Sequence, residues 1–181
     1  MPSGVGVHFR IYFGNEREGL VLPVDWRTII KMKIIESTEA MKKVGAQTGA
    51  LVRGGEMIEL IGDVGTGKTT FTKGLGEGMG VDDDVQSPSF TIEREYHARD
   101  GLQLHHYDFY RLSDPGVVKY ELAESIANPQ VVTVVEWGET AQDVLPDDRI
   151  VIRLTYVREG EARECDATVP EKYTYLAGVI T

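Results

Sequence analysis

A glycine-rich loop with one lysine and adjoining threonines is the part of this sequence best suited to chemistry. Residues 62–69 read Gly-Asp-Val-Gly-Thr-Gly-Lys-Thr and follow the pattern G-x-x-x-x-G-K-[ST] without a gap. Such glycines let backbone N–H groups turn toward phosphate oxygens, while the lysine reaches the β- and γ-phosphates and the next hydroxyl binds Mg²⁺. The loop lies between a predicted strand and a predicted helix, as this chemistry requires. The sequence therefore predicts a nucleotide site that includes Gly65, Thr66, Gly67, Lys68 and Thr69.

A magnesium site of this kind also needs an acidic residue at the end of a neighbouring buried strand. Glu136 ends one apolar run, and Asp108 lies in a second strand pattern. Ligands bind at the carboxyl edge of open α/β sheets, so both acids fit, and spacing alone does not separate either from an ordinary surface acid. His105 and His106 are neighbours on one strand and face opposite ways, which argues against a two-histidine metal site. Trp137 suits a packing role as well as a contact role.

The first half of the chain predicts two helices on either side of a buried strand. An amphipathic helix over about 38–53 follows a cap at Ser37 or Thr38, and Met-Ile-Glu-Leu-Ile-Gly follows it as an apolar strand. After the glycine loop, apolar residues at i, i+4 and i+8 predict a second helix. Glycines inside that helix cost up to about 1 kcal/mol each, so we expect it to pack closely on the sheet. The expected buried face of the first helix consists of Met41, Val44, Thr48, Leu51 and Val52.

The second half predicts two hairpins around another buried strand. One hairpin turns at Asp100-Gly101, a helix runs from Asp114-Pro115 to about Ala127, the buried strand covers 131–137, and the last hairpin turns at 158–161. Helices between buried apolar strands predict the α/β class, with a mixed central sheet flanked by helices and antiparallel hairpin additions.

Length, charge and composition restrict the class of protein. The 181 residues suit one domain, and we expect an N-terminal extension over 1–31, disordered or read from an upstream start codon, before a domain over 32–181. The net charge of −10 disfavours direct binding to nucleic acid. The single cysteine excludes an intrachain disulfide, and no apolar run approaches the roughly 20 residues that span a bilayer. We therefore expect a cytoplasmic enzyme or enzyme subunit with no membrane contact.

Four motifs together resemble one protein family. "GDVGTGKTTF", "SPSFT", "HHYDFYRL" and "VEWGE" occur in an order and at separations similar to those of the TsaE family, also called YjeE, from about Ile34 to Val169. The resemblance implies a P-loop NTPase-like fold and an ATPase with ATP and Mg²⁺. It also implies a part in making threonylcarbamoyladenosine in tRNA, together with a TsaB–TsaD complex. We expect contact with tRNA only through these partners, and we expect a monomeric free protein.

The resemblance also implies roles for individual residues. Lys68 resembles the phosphate lysine, and Thr69 and Glu136 resemble the magnesium ligands. Asp108 resembles the aspartate needed for hydrolysis, and "SPSFT" resembles a mobile segment that senses the nucleotide. The remaining expected nucleotide contacts are Thr70, Trp137, Thr38 near the adenine and Gly160 in the last hairpin turn.

The sequence departs from the family pattern at three places. Ser89 stands where threonine is usual, which keeps the hydroxyl, and Gly138 stands where proline is usual, which predicts a looser loop. The segment "GEARE" is shifted relative to the usual Gly-Arg pattern, which weakens the assignment of Gly160.

Two other readings of the P-loop remain open. A small-molecule kinase would bring arginines to the transferring phosphoryl group, and Arg94, Arg99 and Arg111 are the candidates. A nucleotide-dependent interaction module with almost no turnover overlaps with the ATPase. A GTPase is disfavoured because the chain has no Asn-Lys-x-Asp element to read guanine.

Overall fold

Seven strands form one mixed sheet with helices on both faces. The computed structural model describes residues 28–110, 112, 116–157 and 161–180. The strands are β1 (Thr28–Ile35), β2 (Met57–Ile61), β3 (Glu93–His97), β4 (Gln103–Asp108), β5 (Val131–Glu136), β6 (Ile150–Tyr156) and β7 (Arg163–Pro170). The helices are α1 (Thr38–Leu51), α2 (Lys68–Gly78), α3 (Val118–Ala127) and α4 (Ala177–Ile180). Short 3-10 helices cover Arg99–Gly101, Gly138–Ala141 and Glu171–Leu176. Among the described helices, none combines the length and apolar character that crossing a bilayer requires.

The strand order is β1-β7-β6-β2-β5-β4-β3. The central strands β6, β2, β5 and β4 are parallel, whereas β7 pairs antiparallel with β6 and with β1, and β3 pairs antiparallel with β4. This arrangement confirms the predicted α/β class with antiparallel hairpins at both edges. Helices α1, α2 and α4 cover one face of the sheet, and α3 packs on the other.

Strand β1 was not predicted. It begins at Thr28 and pairs with β7 from Thr28 opposite Pro170 to Ile35 opposite Arg163. The expected boundary between residues 31 and 32 therefore falls inside a strand of the domain, because residues 28–31 take part in its sheet. Residues 1–27 lie outside the described residues. The C-terminal segment 171–180 was also not predicted, and the Tyr175 hydroxyl fixes it by a 2.5 Å hydrogen bond to the Glu56 carboxylate.

Helices α1 and α2 pack in close contact through glycines. A Cβ at Gly74 would lie 2.0 Å from the Lys42 carbonyl oxygen, and one at Gly45 would lie 2.2 Å from that of Phe71. Gly49 and Gly78 are equally crowded. Close packing of α2 on the sheet was expected to account for its glycines. It accounts for only some of them, because most of these glycines face α1. The expected buried face of α1 is also corrected, since Leu51 is exposed and Gly45 and Gly49 are buried.

One arginine fixes the ends of both helices. The Arg99 guanidinium donates to the carbonyl oxygens of Gly49, Ala50, Val52 and Gly78 at 2.7–3.2 Å. A cation that satisfies carbonyl groups at a helix C-terminus also interacts favourably with the helix dipole. Arg99 therefore has a structural role, and it does not belong to the arginines that a kinase would use.

The observed bounds of the other elements differ from the predicted bounds mainly at the ends. Ser37 caps α1 by accepting from the Ala40 N–H at 3.1 Å, as expected, and the hairpin turn at Asp100-Gly101 is present as a 3-10 turn. Helix α3 ends at Ala127 as predicted but is described from Val118, and Asp114-Pro115 lies outside the described residues.

Replacing Gly74 with alanine tests the contact between the two helices. We expect Gly74→Ala to lower the free energy of unfolding by about 1–3 kcal/mol, because the overpacking cost exceeds the gain of up to about 1 kcal/mol in helix propensity. Urea denaturation followed by circular dichroism measures the change. Gly178→Ala is the matched control, since a Cβ at Gly178 has no neighbour within 4 Å. A Gly74→Ala protein as stable as the control would contradict the described packing.

Candidate functional site

The loop between β2 and α2 is shaped by its glycines. Gly62 and Gly67 have φ values of +152° and +106°, which side chains rarely permit, and a Cβ at Gly62 would lie 2.3 Å from the Leu154 carbonyl oxygen. The Thr66 hydroxyl donates to the Asp63 carbonyl at 2.8 Å and braces the turn. The loop leads directly into the first turn of α2, where backbone N–H groups have no partner within the helix. The backbone thus forms the kind of cradle that binds phosphate.

Lys68 lies inside this loop, with only 5% of its surface exposed. Its ammonium donates to the carbonyl oxygens of Gly62 at 2.7 Å and Asp63 at 3.0 Å and lies 4.3 Å from the centre of the Trp137 ring. Burial lowers the pKa of this lysine, and the carboxylates of Glu136 and Asp108 oppose that effect. An anion in the loop would therefore stabilise the charged form of Lys68 and compete for its hydrogen bonds.

Thr69 and Glu136 meet at the start of α2. The Thr69 hydroxyl donates to the Glu136 Oε1 at 3.1 Å, and the His106 Nε2 lies 3.0 Å from the same oxygen. Glu136 and His106 are buried at the carboxyl ends of β5 and β4. The imidazole holds the carboxylate in one orientation, as outer hydrogen-bond partners of metal ligands do. A hydroxyl and an adjacent carboxylate are hard oxygen donors, which Mg²⁺ prefers. His105 faces the opposite side of the sheet, as predicted.

Asp108 lies beside Glu136, because these two residues are register partners at the ends of β4 and β5. Its Oδ2 accepts hydrogen bonds from the hydroxyls of Ser87 at 3.0 Å and Ser89 at 2.5 Å. Its Oδ1 accepts from the Tyr110 N–H at 2.9 Å. The aspartate therefore links the carboxyl edge of the sheet to the segment 87–91, which was expected to sense the nucleotide. The hydroxyl that Ser89 shares with the usual threonine makes one of these contacts.

One cavity of about 430 Å³ brings most of the predicted residues together. Its lining includes Gly65, Gly67, Lys68, Thr69, Thr70, Asp108, Glu136 and Trp137. Phe90, which is 97% exposed, and Tyr110 also line it, and the Tyr110 ring centre lies 5.0 Å from that of Trp137. The sequence did not point to either aromatic residue as part of the site.

Two predicted residues, Thr38 and Thr66, do not line this cavity. Thr66 and Thr38 line a hollow of about 50 Å³ beside the loop, together with Gly65, Gly67 and Thr70. Thr38 also lines an adjoining groove with Thr69 and Thr70. Thr38 therefore lies beside the glycine loop, and its expected contact with the adenine stays a prediction. Gly160 lies outside the described residues, and its assignment stays a prediction.

A polar network fixes the loop that follows Glu136. The buried Glu59 carboxylate accepts from Arg149 Nε at 2.7 Å and from Gln142 Nε2 at 2.8 Å, and Gln142 Nε2 also lies 3.2 Å from the Gly138 carbonyl oxygen. Gly138 is buried, and a Cβ there would lie 2.9 Å from the Glu59 Oε1. The network thus holds Gly138 closely, and the expected effect of glycine in place of proline on this loop stays a prediction.

This network supports Trp137, whose backbone has the left-handed φ of 59°. Sequence reasoning missed the network, although a charged residue in the apolar strand Met57–Ile61 was a signal. Its partners, Gln142 and Arg149, lie 83 and 90 residues away along the chain, and no spacing rule connects them to Glu59.

Removing the Gln142 side chain tests whether the network holds Trp137. We expect Gln142→Ala to lower the steady-state fluorescence anisotropy of Trp137 and the free energy of unfolding by about 1 kcal/mol, because hydrogen bonds to Glu59 and Gly138 are lost. The measurement uses a Trp26→Phe background, in which Trp137 is the only tryptophan. Gln47→Ala, on the exposed side of α1, is the control. Equal anisotropy in both variants would show that Trp137 is held by other contacts.

Comparison with known proteins gives a consistent family assignment. The family described as "Threonylcarbamoyl adenosine biosynthesis protein TsaE" matches residues 35–165. The chain is 35% identical over 156 residues to a TsaE protein of Bacillus subtilis, covering 83% of this chain and 89% of that protein. It is 33% identical to a TsaE protein of Treponema pallidum, covering 70% and 93% of the two chains.

A solved structure agrees with these sequences. The crystal structure of Bacillus subtilis YdiB superposes with a TM-score of 0.67 at 32% identity and covers 84% of this chain and 95% of that chain. The relatives are named for tRNA threonylcarbamoyladenosine biosynthesis. With the P-loop fold, the matching motifs and these relatives in agreement, the chain belongs to the TsaE family.

Proposed function

We propose that this chain is a magnesium-dependent ATPase that supports threonylcarbamoyladenosine modification of tRNA by acting on a TsaB–TsaD complex. The observation that carries the proposal is the meeting of Lys68, Thr69 and Glu136 in one cavity at the start of α2. The lysine supplies a cation for the phosphates, and the hydroxyl and carboxylate supply oxygen donors for a metal.

The residues present fit Mg²⁺. Thr69 and Glu136 offer adjacent oxygen atoms 3.1 Å apart, and His106 orients the carboxylate. When bound, Mg²⁺ neutralises charge that develops on the β- and γ-phosphate oxygens. Backbone N–H groups of the loop and the Lys68 ammonium bind and orient the same phosphates.

Hydrolysis breaks the bond between the γ-phosphorus and the bridging oxygen as water adds to phosphorus, giving ADP, phosphate and a proton. In this proposal Asp108 orients the attacking water or the water bound to the metal, because its carboxylate lies level with Glu136 at the sheet edge. Ser87 and Ser89 occupy its Oδ2. Release of these hydroxyls would free the oxygen, so the segment 87–91 is placed to couple nucleotide state to hydrolysis.

The kinase alternative has less support than the ATPase. Arg99 is committed to helix carbonyl groups, and no arginine lies among the described residues that line the main cavity. Since no described arginine reaches the cavity to stabilise the transition state, we expect slow intrinsic turnover, as in NTPases that await a partner. Adenine is the proposed base, since the chain lacks an Asn-Lys-x-Asp element.

The net charge of −10 supports contact with tRNA through protein partners only. A protein of this charge gains little from the counterion release that dominates binding to nucleic acid. In the proposed cycle the free protein is a monomer in the cytoplasm, and its ATP hydrolysis resets TsaB–TsaD for another turnover. Tight tRNA binding by the isolated chain at physiological salt would contradict this route.

The proposed function predicts partner-stimulated hydrolysis of ATP. Phosphate release should be slow for the isolated chain, rise at least about tenfold with TsaB–TsaD and tRNA, and be much lower with GTP. Lys68→Ala should abolish phosphate release, because the phosphates lose their cation. Lys43→Ala removes the same charge from the exposed side of α1 and should leave phosphate release unchanged. An unchanged rate with both partners present would reject the stimulation. Equal use of GTP would reject the nucleotide assignment.

Substitutions of the two acids should separate their roles. Glu136→Gln should raise the Mg²⁺ concentration for half-maximal hydrolysis about tenfold or more, since a metal ligand loses its charge. Asp108→Asn should lower kcat about 10²-fold or more and leave ATP affinity within a few fold, because water positioning acts in the transition state. Glu124→Gln, on the exposed side of α3, is the control. Normal turnover by Asp108→Asn would remove that residue from the reaction.

A further inference from the structure

A second group of metal-binding side chains lies on the face of the sheet opposite the nucleotide loop. Strands β3 and β4 are antiparallel, with Glu95 opposite His105 and Glu93 opposite Tyr107. These residues therefore share one face at the sheet edge. The His105 Nδ1 lies 3.6 Å from the Glu93 Oε1 and 4.0 Å from the Glu95 Oε1, and the three donor atoms lie within 4.8 Å of one another.

Contacts at both ring nitrogens fix the orientation of the His105 side chain. The Gln103 Oε1 lies 3.2 Å from the His105 Nε2 and, as a carbonyl oxygen, can only accept, so the proton belongs on Nε2. The Nδ1 then carries the lone pair, and its neighbours are the Ser125 hydroxyl at 2.8 Å and the two carboxylates. Histidines that bind metals usually donate their other ring N–H to an acceptor of this kind.

The two carboxylates of this group have little positive charge beside them. In the part of the chain that the structure describes, His105 is the only basic side chain within 4.0 Å of the Glu93 and Glu95 carboxylates. Burial raises the pKa of Glu93, and burial lowers the pKa of His105, which favours the neutral ring. Neighbouring hydroxyls contact this group, with Ser125 2.8 Å from the His105 Nδ1 and Tyr107 2.7 Å from the Ser125 oxygen. A neutral imidazole leaves the two carboxylates without a positive counter-charge, which a metal cation would supply.

We propose that Glu93, Glu95 and His105 form a binding site for a divalent transition-metal ion, such as Zn²⁺ or Mn²⁺. One imidazole nitrogen with two carboxylates suits these ions better than Mg²⁺, which prefers oxygen ligands. A tetrahedral ion about 2.0–2.1 Å from each donor holds its donors about 3.3 Å apart, so a small contraction completes the ligand set, with water as further ligand.

The position of the site gives it a structural role. Strand β3 is one of the two edge strands of the sheet, and Glu93 lies two residues after the segment 87–91, which contacts Asp108. An ion shared by β3 and β4 would fix this edge strand to its neighbour. Binding there does not depend on the nucleotide, because His105 and Asp108 face opposite sides of β4.

Titration with Co²⁺ tests the site, because Co²⁺ absorbs visible light according to its ligands. The nucleotide-free full chain should show a saturable absorption at one ion per chain, displaced by Zn²⁺. Glu95→Gln and His105→Gln should each weaken the affinity at least about tenfold. His97→Gln, an exposed histidine on the same hairpin, and Glu136→Gln, in the nucleotide cavity, should keep the signal.

The exposed position of Glu95 keeps the test informative if a substitution of His105 disturbs folding, since a surface Glu→Gln change leaves the core intact. No saturable Co²⁺ absorption by the unmodified chain would overturn the proposal. Saturable binding that Glu95→Gln leaves unchanged would overturn it as well, because the ion would then be bound elsewhere.

Discussion

The parallel pairing of β2, β5 and β4 is the constraint on which the site depends. In this register Leu60 lies level with Glu136, and Glu136 lies level with Asp108, so the strand that enters the glycine loop ends beside Glu136, with Asp108 one strand further. A slip of one residue in β5 would turn Glu136 to the other face of the sheet, away from Thr69 and His106. The close contact between α1 and α2 then fixes the direction in which α2 leaves the loop.

The cavity carries charges of both signs. Lys68 is buried against loop carbonyls, and two carboxylates lie close enough to influence it. A phosphate in the loop would compensate the lysine, and a divalent cation would compensate the carboxylates. The proposed nucleotide and Mg²⁺ would therefore offset each other's charge inside the cavity.

The sequence was sufficient where local patterns decide structure. The glycine loop, the buried strands, the hairpin at Asp100-Gly101 and the cap at Ser37 all follow from short-range rules, and the structure has them. The same rules could not give the pairing of β1 with β7 or the contacts of Arg99, since each joins residues far apart in the chain. They also misplaced Leu51, because the helix packs through glycines that a search for apolar residues ignores.

In the candidate site, too, local patterns predicted some residues, and others needed the folded chain. Lys68 and Thr69 came from spacing alone. Spacing did not separate Asp108 and Glu136 from ordinary surface acids, and only the family resemblance implied their roles. The sheet register places the two acids side by side. The support of Trp137 by Glu59 and Gln142 needed the folded chain.

A crystal structure of the full chain with Mg²⁺ and a non-hydrolysable ATP analogue tests the central claim most directly. The account predicts phosphate oxygens on the backbone of Gly65–Lys68 and on Lys68 Nζ, with the metal bound by Thr69 and Glu136 and the adenine toward Thr38. A nucleotide bound outside this loop would contradict it. A metal ion that Glu136 contacts neither directly nor through a metal-bound water would contradict it as well.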